Sequence, residues 1–275
     1  MFLDANDPGI SRTLALFGTR EKEHIYILQR ELKEGMVVLD IGANIGYYAL
    51  MEAALVGEQG HVYAVEPSPQ NYLLLNKNVK LNDFEKVIET FQIGISDRIG
   101  VAKLHLASSS NLHTFHPIKY NYTQDDYLSD NVIDVPTTTI SDFAGDKKKI
   151  DLIRMDIEGY EVEAFRGMMK ILVEDRFSPK ILFETHRPKY DDKKHSIKKA
   201  MTDLFKEGYC VKIIVSDNEP MGKFRERNYY PETLINTDFM KRGIYKNLSE
   251  EDALYFISDA GYVRAVLMEK KVKHS

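Results

Sequence analysis

Four side chains at two strand ends could carry chemistry: Asp156 and Glu158 in Met155-Asp156-Ile157-Glu158-Gly159, and Glu184 and His186 in Phe183-Glu184-Thr185-His186. Each pair stands two apart, which in extended backbone sends both side chains to one face. His186 titrates near neutrality and is a natural general base, with Asp156 as the alternative. The remaining acids could orient an acceptor or hold an ammonium group. Glu158 could instead be an acid at a helix N-terminus. The cluster could bind a divalent cation, but no spacing motif demands one and no metal is assigned.

A second constellation lies upstream. Val37-Val38-Leu39-Asp40-Ile41 is an apolar strand ending near an acid, and Gly42-Ala43-Asn44-Ile45-Gly46 is a glycine loop opening a helix. This is the start of a βαβ unit that binds a nucleotide-type ligand. A pyrophosphate-binding loop carries three glycines, and here Asn44 and Tyr47 replace two of them, while Asp40 adds negative charge. S-adenosylmethionine (SAM) has no phosphate. It carries a sulfonium, an ammonium and a carboxylate, which suit an acid on one side and helix N-terminal amides on the other. Glu66, ending His61-Val62-Tyr63-Ala64-Val65-Glu66, can accept both ribose hydroxyls through its two oxygens.

The elements that must position these groups alternate between strand and helix, the pattern of a parallel, doubly wound sheet. Strands are expected at Met36–Ile41, His61–Glu66, Val87–Ile93, Ile150–Met155, Lys180–Glu184, Tyr209–Val215 and Tyr262–Met268, with Val101–Leu106 as an added antiparallel strand. Helices are expected at about Glu21 to Leu32, Gly46 to Val56, Gln70 to Leu81 and Ser196 to Glu207, and one after Gly159 with Val162, Phe165 and Met169 on one stripe. The chain reads as a single domain, 1–275, with a helical N-terminal segment over 1–35. Two insertions break the pattern, at about 108–135 and 216–261, and loops of this length are often functional. In the first, Tyr120, Tyr122 and Tyr127 could pack the loop or stack on a sugar, and Asn111 could touch a substrate.

The bulk properties narrow the partners. Thirty-seven basic against 42 acidic residues give a net charge of −5, which argues against a nucleic-acid substrate. No apolar run reaches membrane-spanning length, and the first residues lack the form of a signal peptide. A cytoplasmic location is expected on these grounds. Cys210 is the single cysteine and reads as a structural thiol in a buried strand.

The chain resembles the FkbM family of SAM-dependent methyltransferases. The resemblance rests on Val38 to Tyr48, Ala64-Val65-Glu66-Pro67, Ile95-Ser96-Asp97, Thr138 to Phe143, Ile150 to Glu161 and Ile181 to His186. It implies a Rossmann-like class I methyltransferase fold: a mostly parallel seven-stranded sheet with helices on both faces and an antiparallel last strand. It also implies methyl transfer from SAM to a hydroxyl of a sugar, lipid-linked glycan or secondary metabolite. By the same resemblance Asp40, Gly42, Asn44 and Gly46 frame the methionine part and Glu66 holds the ribose. Ser96 and Asp97 face the adenine, and Asp156, Glu158, Glu184 and His186 line the reaction centre.

Two other readings compete. One is an N-methyltransferase acting on RNA or protein, against which strand four ends in Met155-Asp156-Ile157-Glu158 rather than the Asn/Asp-Pro-Pro-Tyr/Phe of amino-methylating enzymes. The other is a non-catalytic SAM-binding subunit, against which acids stand at five strand ends. The oligomeric state is not legible.

Overall fold

The protein is described by a computed structural model that covers residues 1–116, 128–147, 149–191 and 193–271. Tyr120, Tyr122 and Tyr127 lie outside the described residues. Two helices, α1 (Ile10–Phe17) and α2 (Lys22–Glu31), precede strand β1 (Val37–Ile41). There follow α3 (Tyr47–Val56), β2 (His61–Val65), α4 (Pro69–Leu81), β3 (Ile88–Phe91), β4 (Gly94–Ile95), β5 (Gly100–Ala107), β6 (Leu128–Thr138) and the short α5 (Ile140–Phe143). Then come β7 (Leu152–Met155), α6 (Glu161–Val173), β8 (Lys180–Glu184), α7 (Ile197–Lys206) and β9 (Tyr209–Ser216). The chain closes with α8 (Gly222–Glu226), β10 (Thr233–Thr237), β11 (Met240–Tyr245), α9 (Glu250–Leu254) and β12 (Val263–Lys270).

The main sheet has the order β10-β11-β9-β12-β8-β7-β1-β2-β3. It is a nine-stranded mixed sheet, not the seven-stranded one expected. The two added strands come from the second insertion. β10 and β11 form a hairpin, and β11 joins the free edge of β9 through Ile244 and Tyr245. Strands β3, β2, β1, β7 and β8 run parallel, and β12 is antiparallel to both β8 and β9. A second sheet, β4-β6-β5, holds the strand expected at Val101–Leu106. Its partner β6 starts within the first insertion, where the sequence shows no steady period, and runs on to Thr138, because the pairing with β5 supplies order that local sequence does not.

The two faces of the main sheet bury separate cores. Leu39, Ile41, Ile153, Met155 and Phe183 pack with Phe165 and Met168 of α6 and Leu204 of α7. Val38, Val62, Leu152 and Leu182 pack with Ile27 of α2, Ala49 and Ala53 of α3, and Leu75 of α4. The buried stripe of α6 is Val162, Phe165, Met168 and Ile171, so Met168 takes the place expected of Met169. By strand alternation Asp40, Arg154 and Glu184 share the face of Val38, Leu152 and Leu182, towards α2 and α3. Cys210 on β9 is half-buried rather than buried, with its thiol 3.5 Å from the Glu269 carbonyl. No helix of the described residues is long and apolar enough to cross a membrane.

Candidate active site

A narrow cleft lies beyond the carboxyl ends of β1, β2 and β7, bordered by Gly42, Asn44, Glu66, Arg154, Asp156 and Glu158. The loop after β1 is shaped by backbone that most residues avoid. Gly42 has φ +83°, and a Cβ there would stand 2.1 Å from the Asp156 carbonyl oxygen. Asn44, the residue in place of a second glycine, also has positive φ (51°), which asparagine tolerates better than most side chains. Gly46, φ 91°, caps α3 and packs on Leu75 without bordering the cleft.

Glu66 ties this loop to the next strand. Its Oε2 accepts from the Asn44 amide at 2.8 Å and its Oε1 from the Ser68 amide at 2.9 Å. Burial pushes its pKa up to about 7 against the lowering effect of these amides. The described start of the first insertion reaches over the cleft. The Ser110 carbonyl accepts from Nδ2 of Asn44 (3.1 Å) and of Asn71 (3.2 Å), and the Ser110 amide donates to Asp7 at 2.8 Å.

Asp40 does not border the cleft. It is wholly buried beneath it, where its Oδ1 accepts from Arg154 at 2.9 Å. Arg154 in turn lies 3.3 Å from Asp156 and 3.8 Å from the Tyr48 ring centroid. Asp40, expected to frame the methionine part, meets the cleft only through Arg154, which does reach the cleft wall. On α3 burial, reinforced by the charge of Asp40, raises the pKa of the Glu52 carboxyl well above the ordinary value.

Asp156, Glu158, Glu184 and His186 do converge. Nε2 of His186 lies 3.8 Å from Asp156, 3.5 Å from Glu158 and 3.4 Å from Glu184, and its Nδ1 lies 2.9 Å from Glu161. Asp156 and Glu158 meet the cleft, whereas Glu184 and His186 stand behind them. The extended geometry expected of Asp156 to Glu158 is absent: β7 stops at Met155, and Glu158 turns into left-handed backbone at φ 53°. That turn carries Glu158 to Lys189, at 2.6 Å.

The charges decide which group can move a proton. Burial alone would lower the His186 pKa, but Glu158 and Glu161 raise it well above the ordinary histidine value. The surrounding carboxylates therefore favour the charged form of His186 over the neutral ring expected of a general base. Burial, reinforced by Glu184, pushes Asp156 up to about 7. Burial also opposes the charge of Glu158, yet His186 and Lys189 hold it ionised, well below the usual carboxylate range. Asp156, Glu184 and His186 each bring a potential metal ligand within 4.8 Å of the others, but Arg154 and Arg264 already pair with the two carboxylates.

Ser96 and Asp97 are not brought to this cleft. After β3 the chain leaves the main sheet and pairs Gly94 and Ile95 with Thr137 and Thr138 of β6. Ser96 then bonds Tyr160 at 3.0 Å, and Asp97 borders a separate cleft with His116, Glu163 and His195. In that cleft His116 and His195 meet the two oxygens of Glu163 at 3.1 and 2.5 Å. Among residues that sequence reasoning left unassigned, Arg154, Glu161, Arg20, Glu21 and Arg264 surround the acids. Arg154 alone carried a signal, as a charge inside an otherwise apolar parallel strand. Asn111 borders the cleft, and its Oδ1 and the Ser110 hydroxyl are buried polar atoms without a hydrogen-bond partner among the described residues.

A glycine loop on an open sheet, a carboxylate on the neighbouring strand and acids beneath define a Rossmann-like nucleotide-type ligand site. Residues 40–211 match the Methyltransferase FkbM domain family, and the chain belongs to that family. It is a SAM-dependent methyltransferase. The residues present fit that cofactor: the Gly42 cradle admits no Cβ, Glu66 offers two oxygens, and Ser110 and Asn111, which border the cleft, carry polar atoms with no partner among the described residues.

Several relatives are similar over part or most of the chain. Hexuronic acid methyltransferase AglP of Haloferax volcanii is 27% identical over 68% of this chain and 72% of its own length. Methyltransferase sdnD of Sordaria araneosa is 28% identical over 58% of this chain and 71% of its own length. A protein-L-isoaspartate O-methyltransferase of Methanothrix thermoacetophila is 31% identical over 29% of this chain, and the match spans 40% of that relative. Among solved structures, an FkbM methyltransferase from Methylobacillus flagellatus covers 79% of this chain and 44% of that one, at 15% identity and a TM-score of 0.42. An O-methyltransferase from Thermotoga maritima covers 96% of this chain and 71% of that one, at 11% identity and a TM-score of 0.45.

Proposed function

We propose that this enzyme methylates a hydroxyl group of a sugar or glycan, with Asp156 as the general base. One observation carries the reading: Asp156 borders the cleft with its pKa pushed up to about 7, so it can both accept and release a proton near neutrality. SAM supplies an electrophilic methyl group on a sulfonium that leaves as a neutral thioether. The chain's part is to align the acceptor oxygen, exclude water and take its proton. Arg154 holds Asp156 from below, and His186 with Lys189 balances the charge of Glu158 beside it. His186 is a positioning residue in this scheme, not the base.

The choice of a sugar hydroxyl draws support from relatives. AglP of Haloferax volcanii is a hexuronic acid methyltransferase, and NoeI of Sinorhizobium fredii is a 2-O-methyltransferase, 27% identical over 57% of this chain and 67% of its own length. The test is transfer of a labelled methyl group from SAM to a panel of glycosides, lipids, peptides and RNA. Labelling of glycosides, lost by at least about 100-fold in Asp156→Asn with SAM affinity kept, is expected. Labelling confined to peptides or RNA would overturn the reading.

A further inference from the structure

A second, wider cleft of about 960 Å³ opens beside the cofactor cleft and shares Arg20, Glu21 and Asn111 with it. Its walls are the N-terminal helices and the β10–β11 hairpin. The backbone stitches them together: the Glu21 amide donates to Asp238 at 2.9 Å and the Lys22 amide to Thr237 at 3.0 Å. The volume lies within the range of small-molecule sites, roughly 300–1,000 Å³.

Its charge opposes that of the whole chain. Arg20, Lys22, Lys241, Arg242 and Arg264 border it, against Glu21 and Asp238, in a protein of net charge −5. Glu21 is already bound by Arg20 and Arg264, at 2.5 and 2.6 Å. Arg242 pairs with Glu23 at 3.2 Å. Lys22 and Lys241 make no side-chain ion pair among the described residues.

The tip of the hairpin points the same way. Asp238 and Phe239, with φ 47° and 61°, form the two-residue link between Thr237 and Met240. Both central positions need positive φ, which glycine or asparagine adopts readily and a bulky aromatic residue does not. Phe239 is nonetheless 92% exposed at the cleft, its ring edge-on to Phe17 with centroids 5.3 Å apart. The strained backbone thus presents an apolar ring to solvent at the cleft.

We propose that this cleft is the acceptor site and that it takes a glycosyl unit bearing a negative charge, either a carboxylate or a phosphate. Lys22 and Lys241 meet the anion, the C–H face of the sugar ring packs on Phe239, and Asn111 accepts a hydroxyl at the junction with the cofactor cleft. The inference rests on the sugar reading above and names its substrate class.

The experiment is calorimetric titration of the full chain, saturated with S-adenosylhomocysteine, with 4-nitrophenyl β-glucuronide, the neutral β-glucoside and its 6-phosphate. The expected result is binding of the glucuronide or the phosphate at least about tenfold tighter than the neutral glucoside, the worth of one charge-assisted contact. Which of the two is preferred identifies the source of the charge. Lys22→Ala/Lys241→Ala should abolish the preference and leave S-adenosylhomocysteine binding intact. Phe239→Gly suits the turn and should keep the fold while weakening all three glycosides. Equal binding of charged and neutral glycosides, binding of none, or a preference that survives the double substitution overturns the proposal. Labelled methyl transfer separates this outcome from failure of the broader reading. Transfer to glycosides without charge preference sinks only the acceptor assignment, whereas transfer to peptides or RNA instead sinks both.

Discussion

Arg154 and Asp40 are direct partners in the parallel register of β7 and β1, and their side chains meet at 2.9 Å with neither more than 2% exposed. The pair forms the floor on which Asp156 rests. Removing Asp40 leaves the buried Arg154 guanidinium with Asp156 alone at 3.3 Å, at a cost of up to about 3–5 kcal/mol. Asp40→Asn should therefore lower the urea midpoint sharply, and Asp40→Leu/Arg154→Met should recover much of the loss but not the activity.

Gly42 tests the loop independently of charge. A Cβ at 2.1 Å from a backbone oxygen, on a residue with φ +83°, forces the Asp156 segment to move. Gly42→Ala should retain the far-ultraviolet circular dichroism of the fold and lose SAM binding by at least about tenfold. Normal calorimetric affinity in this variant would show that the loop does not frame the cofactor.

Glu66 tests the diol contact. Its two oxygens already hold the Asn44 and Ser68 amides, so Glu66→Gln keeps the size and loses the charge-assisted bonds. SAM affinity should fall by about 10- to 100-fold, the effect of about 1.5–3 kcal/mol for a bond to a charged group, with a smaller change in kcat at saturation. Unchanged affinity would remove Glu66 from the ribose site.

The pH behaviour separates Asp156 from His186. The base form of Asp156 grows as pH rises through about 7, so kcat/KM should rise over that interval. His186 acts on stability with the opposite sign. Its folded pKa lies above its ordinary 6.5, so its stabilising charge is fully present below that value and is lost as pH rises through the raised one. Melting curves of the wild type should therefore fall on the alkaline side of 6.5, and those of His186→Gln should be lower at neutrality and flatter. A His186→Gln enzyme with wild-type stability and a lost rate-against-pH slope would restore His186 as the base.

Part of the cleft's lining was legible in the sequence because those parts are local. A glycine that needs positive φ, an asparagine beside it and an acid at the next strand end are separated by a fixed βαβ geometry, so spacing in the chain translates into spacing in the cleft. The parallel core was readable for the same reason, since apolar runs alternate with amphipathic segments. What spacing could not convey was anything set by long-range pairing. The β10–β11 hairpin joins the sheet edge, β6 orders inside the first insertion, and Ser96 and Asp97 are drawn away from the cleft by strand pairing with residues some forty positions on. The protonation of His186 was equally out of reach. The residue type predicts a neutral base. Only the folded chain surrounds that ring with Asp156, Glu158, Glu161 and Glu184, and Glu158 and Glu161 raise its pKa against the effect of burial.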